Sequence, residues 1–227
     1  MEQQFQYYAF ISYKREDEKW AKWLQDRLRW YKLPSKLCRQ ITRLPKKVWP
    51  VFRDNTDLDS GRLEENIRHE LERSHYLIVI CSPEAARSPW VGKEVKYFAT
   101  LHGADKIIPF VVSGIPYSND IETECIHEQI KAISQEELLA INVREEGIGS
   151  FAMKKKRAFI RVVARLLDIK FNTLWQPYER ILRIRKWSTG IGVVLFLFVL
   201  FILWDYYRTK NEYFADYVDR WGIPEGV

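Results

Sequence analysis

Trp90 and Glu94 carry the strongest chemical signal in the sequence, within the stretch Ser88-Pro89-Trp90-Val91-Gly92-Lys93-Glu94. Four residues apart, they share one face of a helix and stand a single turn from each other. Pro89 suits a first helical turn and Ser88 a cap just before it. A carboxylate beside an indole at a helix start is equipped to hold a ring cation or a ribose. The alternative is a solvent-facing Glu94 favoured by the helix dipole, with Trp90 packed in the core. The heptapeptide alone leaves both readings open.

The flanking sequence supplies the elements that position this pair. Tyr7–Tyr13 is a short apolar, aromatic and β-branched run and predicts a buried strand. Asp17–Tyr31 carries Trp20, Trp23, Leu24, Leu28 and Tyr31 at helical spacing. Val48–Phe52 predicts a second strand leading into Arg53-Asp54, and a helix follows from Gly61 with Leu63, Ile67 and Leu71 at four-residue intervals. Tyr76–Cys81 is apolar enough for a strand buried on both faces. Glu84–His102 predicts one helix bearing Trp90 and Glu94, stopped by Gly103. Ile107–Val112 predicts a fourth strand and Leu138–Val143 a fifth, with a last helix over Arg157–Asp168. Strands alternating with helices predict an α/β fold on a parallel sheet. Ligands of such sheets sit beyond the carboxyl ends of the strands. Ser12–Arg15, Arg53–Gly61 and Ser82–Glu94 all fall at that edge.

In order and context, these motifs resemble the TIR (Toll/interleukin-1 receptor) domain over residues 5 to 170. Tyr7–Tyr13 is similar to its first box, and Phe52-Arg53-Asp54 through Gly61 to its second box and BB loop. Trp90-x-x-x-Glu94 resembles the tryptophan–glutamate element of TIR domains that hydrolyse NAD+. The chain departs from the pattern at Tyr8, where an acidic residue is frequent, and at Asp59-Ser60-Gly61, where vertebrate receptors have Pro-Gly. Lys32–Pro50 is a long basic connection for which the family pattern offers no role.

The resemblance implies a flavodoxin-like parallel sheet with helices on both faces, and NAD+ nucleosidase chemistry. In that chemistry nicotinamide leaves as a neutral ring, so the leaving group needs no general acid. A carboxylate stabilises the oxocarbenium character that develops on the ribose. By resemblance Glu94 is the catalytic residue and Trp90 walls the pocket. Tyr13, Lys14 and Arg15 lie near the nucleotide, and Asp54, Asp59, Gly61 and Arg62 match BB-loop positions that shape the site. Leu63 stands where an animal TIR enzyme has a stacking aromatic. NAD+ is thus substrate rather than cofactor, the product is linear or cyclised ADP-ribose, and self-association through TIR–TIR contacts completes the pocket. The same fold also serves a non-catalytic TIR adaptor or a dinucleotide-sensing switch, so fold alone does not choose between them. Locally, Asp54 also suits a turn cap, Gly61 a left-handed turn, and Lys14 and Arg15 plain solvated charge.

A second signal lies near the carboxyl end. Trp187–Trp204 contains no charged residue, and its roughly 18 residues reach the lower end of the length needed to span a bilayer. Tryptophans at both ends, then Tyr206 and Tyr207, suit the interfacial belts. Arg180, Arg183, Arg185 and Lys186 precede the stretch, against Arg208 and Lys210 just after it, which predicts a cytoplasmic amino-terminal domain. The expected organisation is a TIR domain over 1–170, a basic juxtamembrane helix over 171–186, a transmembrane helix over 187–204 and a short extracytoplasmic tail over 205–227. The polar amino terminus, running directly into a strand, predicts no signal peptide.

The formal net charge of +6 concentrates beside the apolar stretch and in the Lys36–Lys47 connection, and predicts anionic lipid rather than nucleic acid as partner. Cys38, Cys81 and Cys125 have no paired spacing, and His69, His75, His102 and His127 form no ligand cluster, so no metal is expected. Asn119–Glu137, acidic and poor in apolar residues, predicts a surface helix and loop.

Overall fold

The computed structural model describes residues 5–41, 44–45, 47–53, 61–133, 140–144 and 150–221. They fall into two compact units, Met1–Trp175 and Gln176–Val227. The first alternates strand and helix: β1 Tyr7–Ser12, α1 Glu18–Trp30, α2 Ser35–Gln40, β2 Val51–Arg53, α3 Gly61–Glu72 and β3 Ser74–Cys81. It continues with α4 Pro83–Ala86, α5 Pro89–His102, β4 Ile107–Val111, α6 Glu128–Ile133, β5 Ile141–Asn142 and α7 Phe151–Leu166. The strands form one parallel sheet in the order β2-β1-β3-β4-β5. The order reverses between β1 and β3, the switch point at which open α/β sheets leave a crevice.

Alternation along β1 sorts its side chains between two layers. Phe10 enters a core with Ile67 and Leu71 of α3 and Val91, Val95 and Phe98 of α5. Ser12, two residues on, faces the same way. Trp23 of α1 lies beside Phe159 of α7, ring centroids 6.2 Å apart, on the other face of the sheet. With both faces covered, Tyr76–Cys81 is wholly buried, which is why β3 reads as a continuous apolar run.

The structure departs from the sequence reading in several places. The helix expected over Glu84–His102 is two, because Ser88 is extended (φ −81°, ψ 115°) as the residue before a proline prefers. The second strand is three residues long and begins after Pro50, which brings no amide hydrogen to a ladder. The last helix of the sheet layer starts at Phe151 rather than Arg157, capped by the Ser150 hydroxyl accepting from the Met153 amide at 3.4 Å. Asn119–Glu137 is not all surface, since Cys125, Ile126 and Ile130 join the core beside α5. Of the fifth strand, residues 138–139 lie outside those described and Ile141–Asn142 pairs with β4.

After α7 a single helix, α8, runs over Phe171–Trp221. Its first turn belongs to the first unit, with Leu174 and Trp175 buried there. Among the described residues, one stretch of helix is long and apolar enough to cross a bilayer: Gly192–Lys210, 19 residues of mean hydropathy 1.6.

Candidate functional site

Pro89 opens α5, and its 3.6-residue period places Trp90, Lys93, Glu94 and Tyr97 along one stripe. Opposite runs the α3 stripe of Ile67, Arg68 and Leu71. Together they line a cleft of 320 Å³, within the size range of small-molecule sites. Trp90 is 42% exposed, which excludes the core-packed alternative, and the Lys93 ammonium sits 4.6 Å from its ring centroid. Arg68 stacks over the Tyr97 ring at 5.4 Å, and the Tyr97 hydroxyl donates to Glu72 across 2.5 Å. The cleft therefore joins one carboxylate to an aromatic wall and to the cations Arg68, Lys93 and Lys96.

Glu94 is held from the sheet. The Ser12 hydroxyl, buried at the carboxyl end of β1, donates to Oε2 of Glu94 at 2.5 Å. A second pair of the same kind stands alongside. The Ser82 hydroxyl, just after β3, donates to Oδ2 of Asp17 at 2.5 Å and accepts from the Ala85 amide at 3.1 Å, capping α4. The two pairs cross: the serine of β1 holds the helix that follows β3, and the serine after β3 holds the turn that follows β1. Burial raises the Asp17 carboxyl above its ordinary range; the Ser82 hydrogen bond works against that, and Glu84 and Glu16 add to it.

The other expected site residues are distributed as follows. Tyr13 turns to β2, where its hydroxyl accepts from Arg53 Nη1 at 3.0 Å; Arg53 also donates to Gln25 at 3.1 Å. Lys14 is extended and leads into a 3₁₀ turn over Arg15–Asp17. All three residues stand at the ligand edge, but none lines the described wall of the cleft. Gly61 and Arg62 open α3. Asp54 and Asp59 lie outside the described residues.

Sequence reasoning missed Ser12 as the partner of Glu94, the Asp17–Ser82 pair, and the cations Arg68, Lys93 and Lys96. The stripe at positions 90, 93, 94 and 97 was available as a signal for Lys93; the serine pairings, across 82 and 65 residues of chain, had none. Gly92 was a further silent position. A Cβ there would meet the His127 ring at 2.5 Å from Cε1 and 2.7 Å from Nε2, so a hydrogen at this position lets α6's approach pack against the first turn of α5. Burial lowers the His127 pKa, with the Ser88 backbone opposing. Among the described residues no group of His, Cys, Asp and Glu is placed to hold a metal. Burial pushes the Cys81 thiol well up and that of Cys125 to about 12, so both serve packing rather than nucleophilic chemistry.

The profile of the TIR domain matches residues 9–146, more than half of the chain. The chain belongs to the TIR domain family. Its curated relative NAD(+) hydrolase ApTIR, from an Actinoplanes species, is 36% identical over 110 residues, 48% of this chain. The chain spans only 14% of that relative's length. Among solved structures, the TIR domains of the activated Roq1 resistosome, which directly recognizes the pathogen effector XopQ, are 18% identical with a TM-score of 0.31. That likeness covers 45% of this chain and 55% of the other.

Proposed function

We propose that this TIR chain is a membrane-anchored NAD+ nucleosidase that works on the cytoplasmic side and is activated by self-association. The observation that carries the reading is Glu94, a carboxylate on the cleft beside Trp90 and fixed from behind by Ser12. A TIR relative named for NAD+ hydrolysis, 36% identical over the matched part, supports it. In the reaction the C1′–N bond of the nicotinamide ribose breaks and its electron pair leaves with the neutral ring. Water then forms the new C1′–O bond and releases a proton. Glu94 stabilises the positive charge on the ribose while that bond is broken, the electrostatic task at which a preorganised group is most effective. Trp90 offers a ring face, and Arg68, Lys93 and Lys96 suit the pyrophosphate.

The apolar part of α8 is the anchor in this reading, and lateral confinement raises the effective concentration of the domain for contacts with its copies. The test is NAD+ turnover by the full chain in vesicles at rising surface density, for wild type and Glu94→Gln. Specific activity that climbs with density and vanishes in the variant is the expected result. No turnover at any density would leave a non-catalytic adaptor, and a flat density dependence would remove self-association from the mechanism.

A further inference from the structure

Between Asp26 and Asp54 the sequence carries nine Lys and Arg and no Asp or Glu. The structure places the two ends of this segment, the end of α1 and the entry to β2, side by side. α1 runs back from the ligand edge and ends at the amino edge of the sheet, where the chain enters β2. The register is fixed by Gln25 donating to the Val51 carbonyl at 3.1 Å; one helical turn further, the Arg29 guanidinium lies 5.7 Å from the Trp49 ring centroid and 5.5 Å from that of Trp30. Trp30 is 75% exposed, the most open tryptophan among the described residues. Arg27, Arg29, Lys32, Arg39 and Lys47 are exposed along the same segment. An indole left in water beside a run of cations is the composition of a bilayer interface, where tryptophan sits at headgroup level and Lys and Arg meet lipid phosphate.

We propose that the carboxyl end of α1 and the chain beside it, centred on Arg29, Trp30, Lys32 and Trp49, form a docking surface for anionic lipid headgroups. The inference rests on the membrane reading above and extends it from the apolar helix to a face of the domain. Charge complementarity favours lipid, and so does proximity: the sixteen residues 176–191 between the first unit and the apolar stretch reach at most about 24 Å as a helix. The domain is therefore never far from the headgroups, where Lys and Arg are drawn to anionic lipid. The placement also has a functional consequence. Trp30 and Trp49 stand at the amino edge of the sheet, whereas Ser12, Glu94 and the Trp90 end of the cleft stand at the carboxyl edge. A domain resting on its amino edge turns that end of the cleft, with Glu94, away from lipid and toward soluble dinucleotide.

Cys38 lies between α1 and β2 and is the one native thiol that is not buried, which makes it a reporter. The full chain labelled at Cys38 with an environment-sensitive fluorophore is placed in nanodiscs of phosphatidylcholine, with and without phosphatidylserine, and with brominated acyl chains. The expected result is a blue shift and bromine quenching in the anionic discs, weaker in neutral ones, and abolished by Arg29→Glu with Lys32→Glu. The same label at Ser118→Cys in a Cys38→Ser background, at the opposite edge, stays unquenched. Emission at Cys38 that is the same in anionic discs, neutral discs and detergent overturns the proposal, as does equal quenching at position 118. Retention of an oligonucleotide that is lost in the charge-reversal variant would assign the segment to nucleic acid and overturn it too. A chain that fails to enter discs at all would sink the membrane reading along with it. Stable incorporation without quenching would sink the docking surface alone.

Discussion

The hydroxyl of Ser12 donates to the carboxylate of Glu94 across 2.5 Å, joining the end of the interior strand β1 to the second turn of α5. The bond uses one lone pair of Oε2 and locks the side chain with its charge at the mouth of the cleft. A group that must stabilise charge as it develops gains most from being fixed in advance, because no reorganisation is needed during the reaction.

Glu94→Gln keeps the size of the side chain and removes its charge. NAD+ turnover should fall by about 10²–10³ or more, with the far-UV and near-UV circular dichroism unchanged. Ser12→Ala leaves the carboxylate but not its restraint. Loss of a hydrogen bond to a charged group costs about 1.5–3 kcal/mol, roughly ten- to a hundred-fold in kcat. Ser12→Thr, which keeps the hydroxyl, should restore most of it. Full activity in Ser12→Ala would show that Glu94 needs no support from the sheet.

Gly92→Ala should destabilise the domain by about 1–3 kcal/mol, because the new methyl group overlaps the His127 ring and must displace it. Urea unfolding of the piece ending at Trp175 reads this variant. That piece keeps Leu174 and Trp175, which are buried in the same unit. An unaltered midpoint for Gly92→Ala would mean that His127 moves at no cost.

Stability should depend on pH in two opposed ways. His75, His102 and His127 have pKa values lowered below the ordinary 6.5, chiefly by burial. The folded state thus prefers them neutral. Their contribution is complete above pH 6.5 and is lost as pH falls through the folded-state values. Asp17 is shifted the other way, raised from 3.8 chiefly by burial. Its contribution is complete below pH 3.8 and is lost as pH rises through the folded-state value. Asp17→Asn keeps an acceptor for Ser82 without the buried charge, so its stability relative to wild type should improve as pH rises. Parallel pH curves for the two proteins would mean that Asp17 titrates as it does in the unfolded chain.

Reporter fusions at the two ends of the full chain should place the amino terminus in the cytoplasm and the carboxyl terminus across the membrane. Replacing Arg180, Arg183, Arg185 and Lys186 with acidic residues should weaken that orientation. A cytoplasmic signal from both ends would mean that the apolar part of α8 does not span.

Sequence alone determined what depends on local chemistry and period. The β3 core strand, the amphipathic α1 and the Trp90–Glu94 stripe follow from side-chain type and spacing, because a helix or strand displays its own periodicity whatever it packs against. The apolar run before Asp205 is legible for the same reason: its length and composition are properties of one contiguous stretch. What tertiary structure decided is where distant segments meet. Nothing in Ser12 or Ser82 distinguishes them from other serines until the parallel sheet brings β1 and β3 side by side and crosses their carboxylate partners. Tyr13 could not be assigned to Arg53 before the order β2-β1-β3 placed β2 on that side of β1. Cys125, Ile126 and Ile130 read as surface because their neighbours are acidic, yet burial depends on the face that α5 presents to them. Short-range pattern fixes each element's own faces; which faces are covered is set by contacts between residues far apart in the chain.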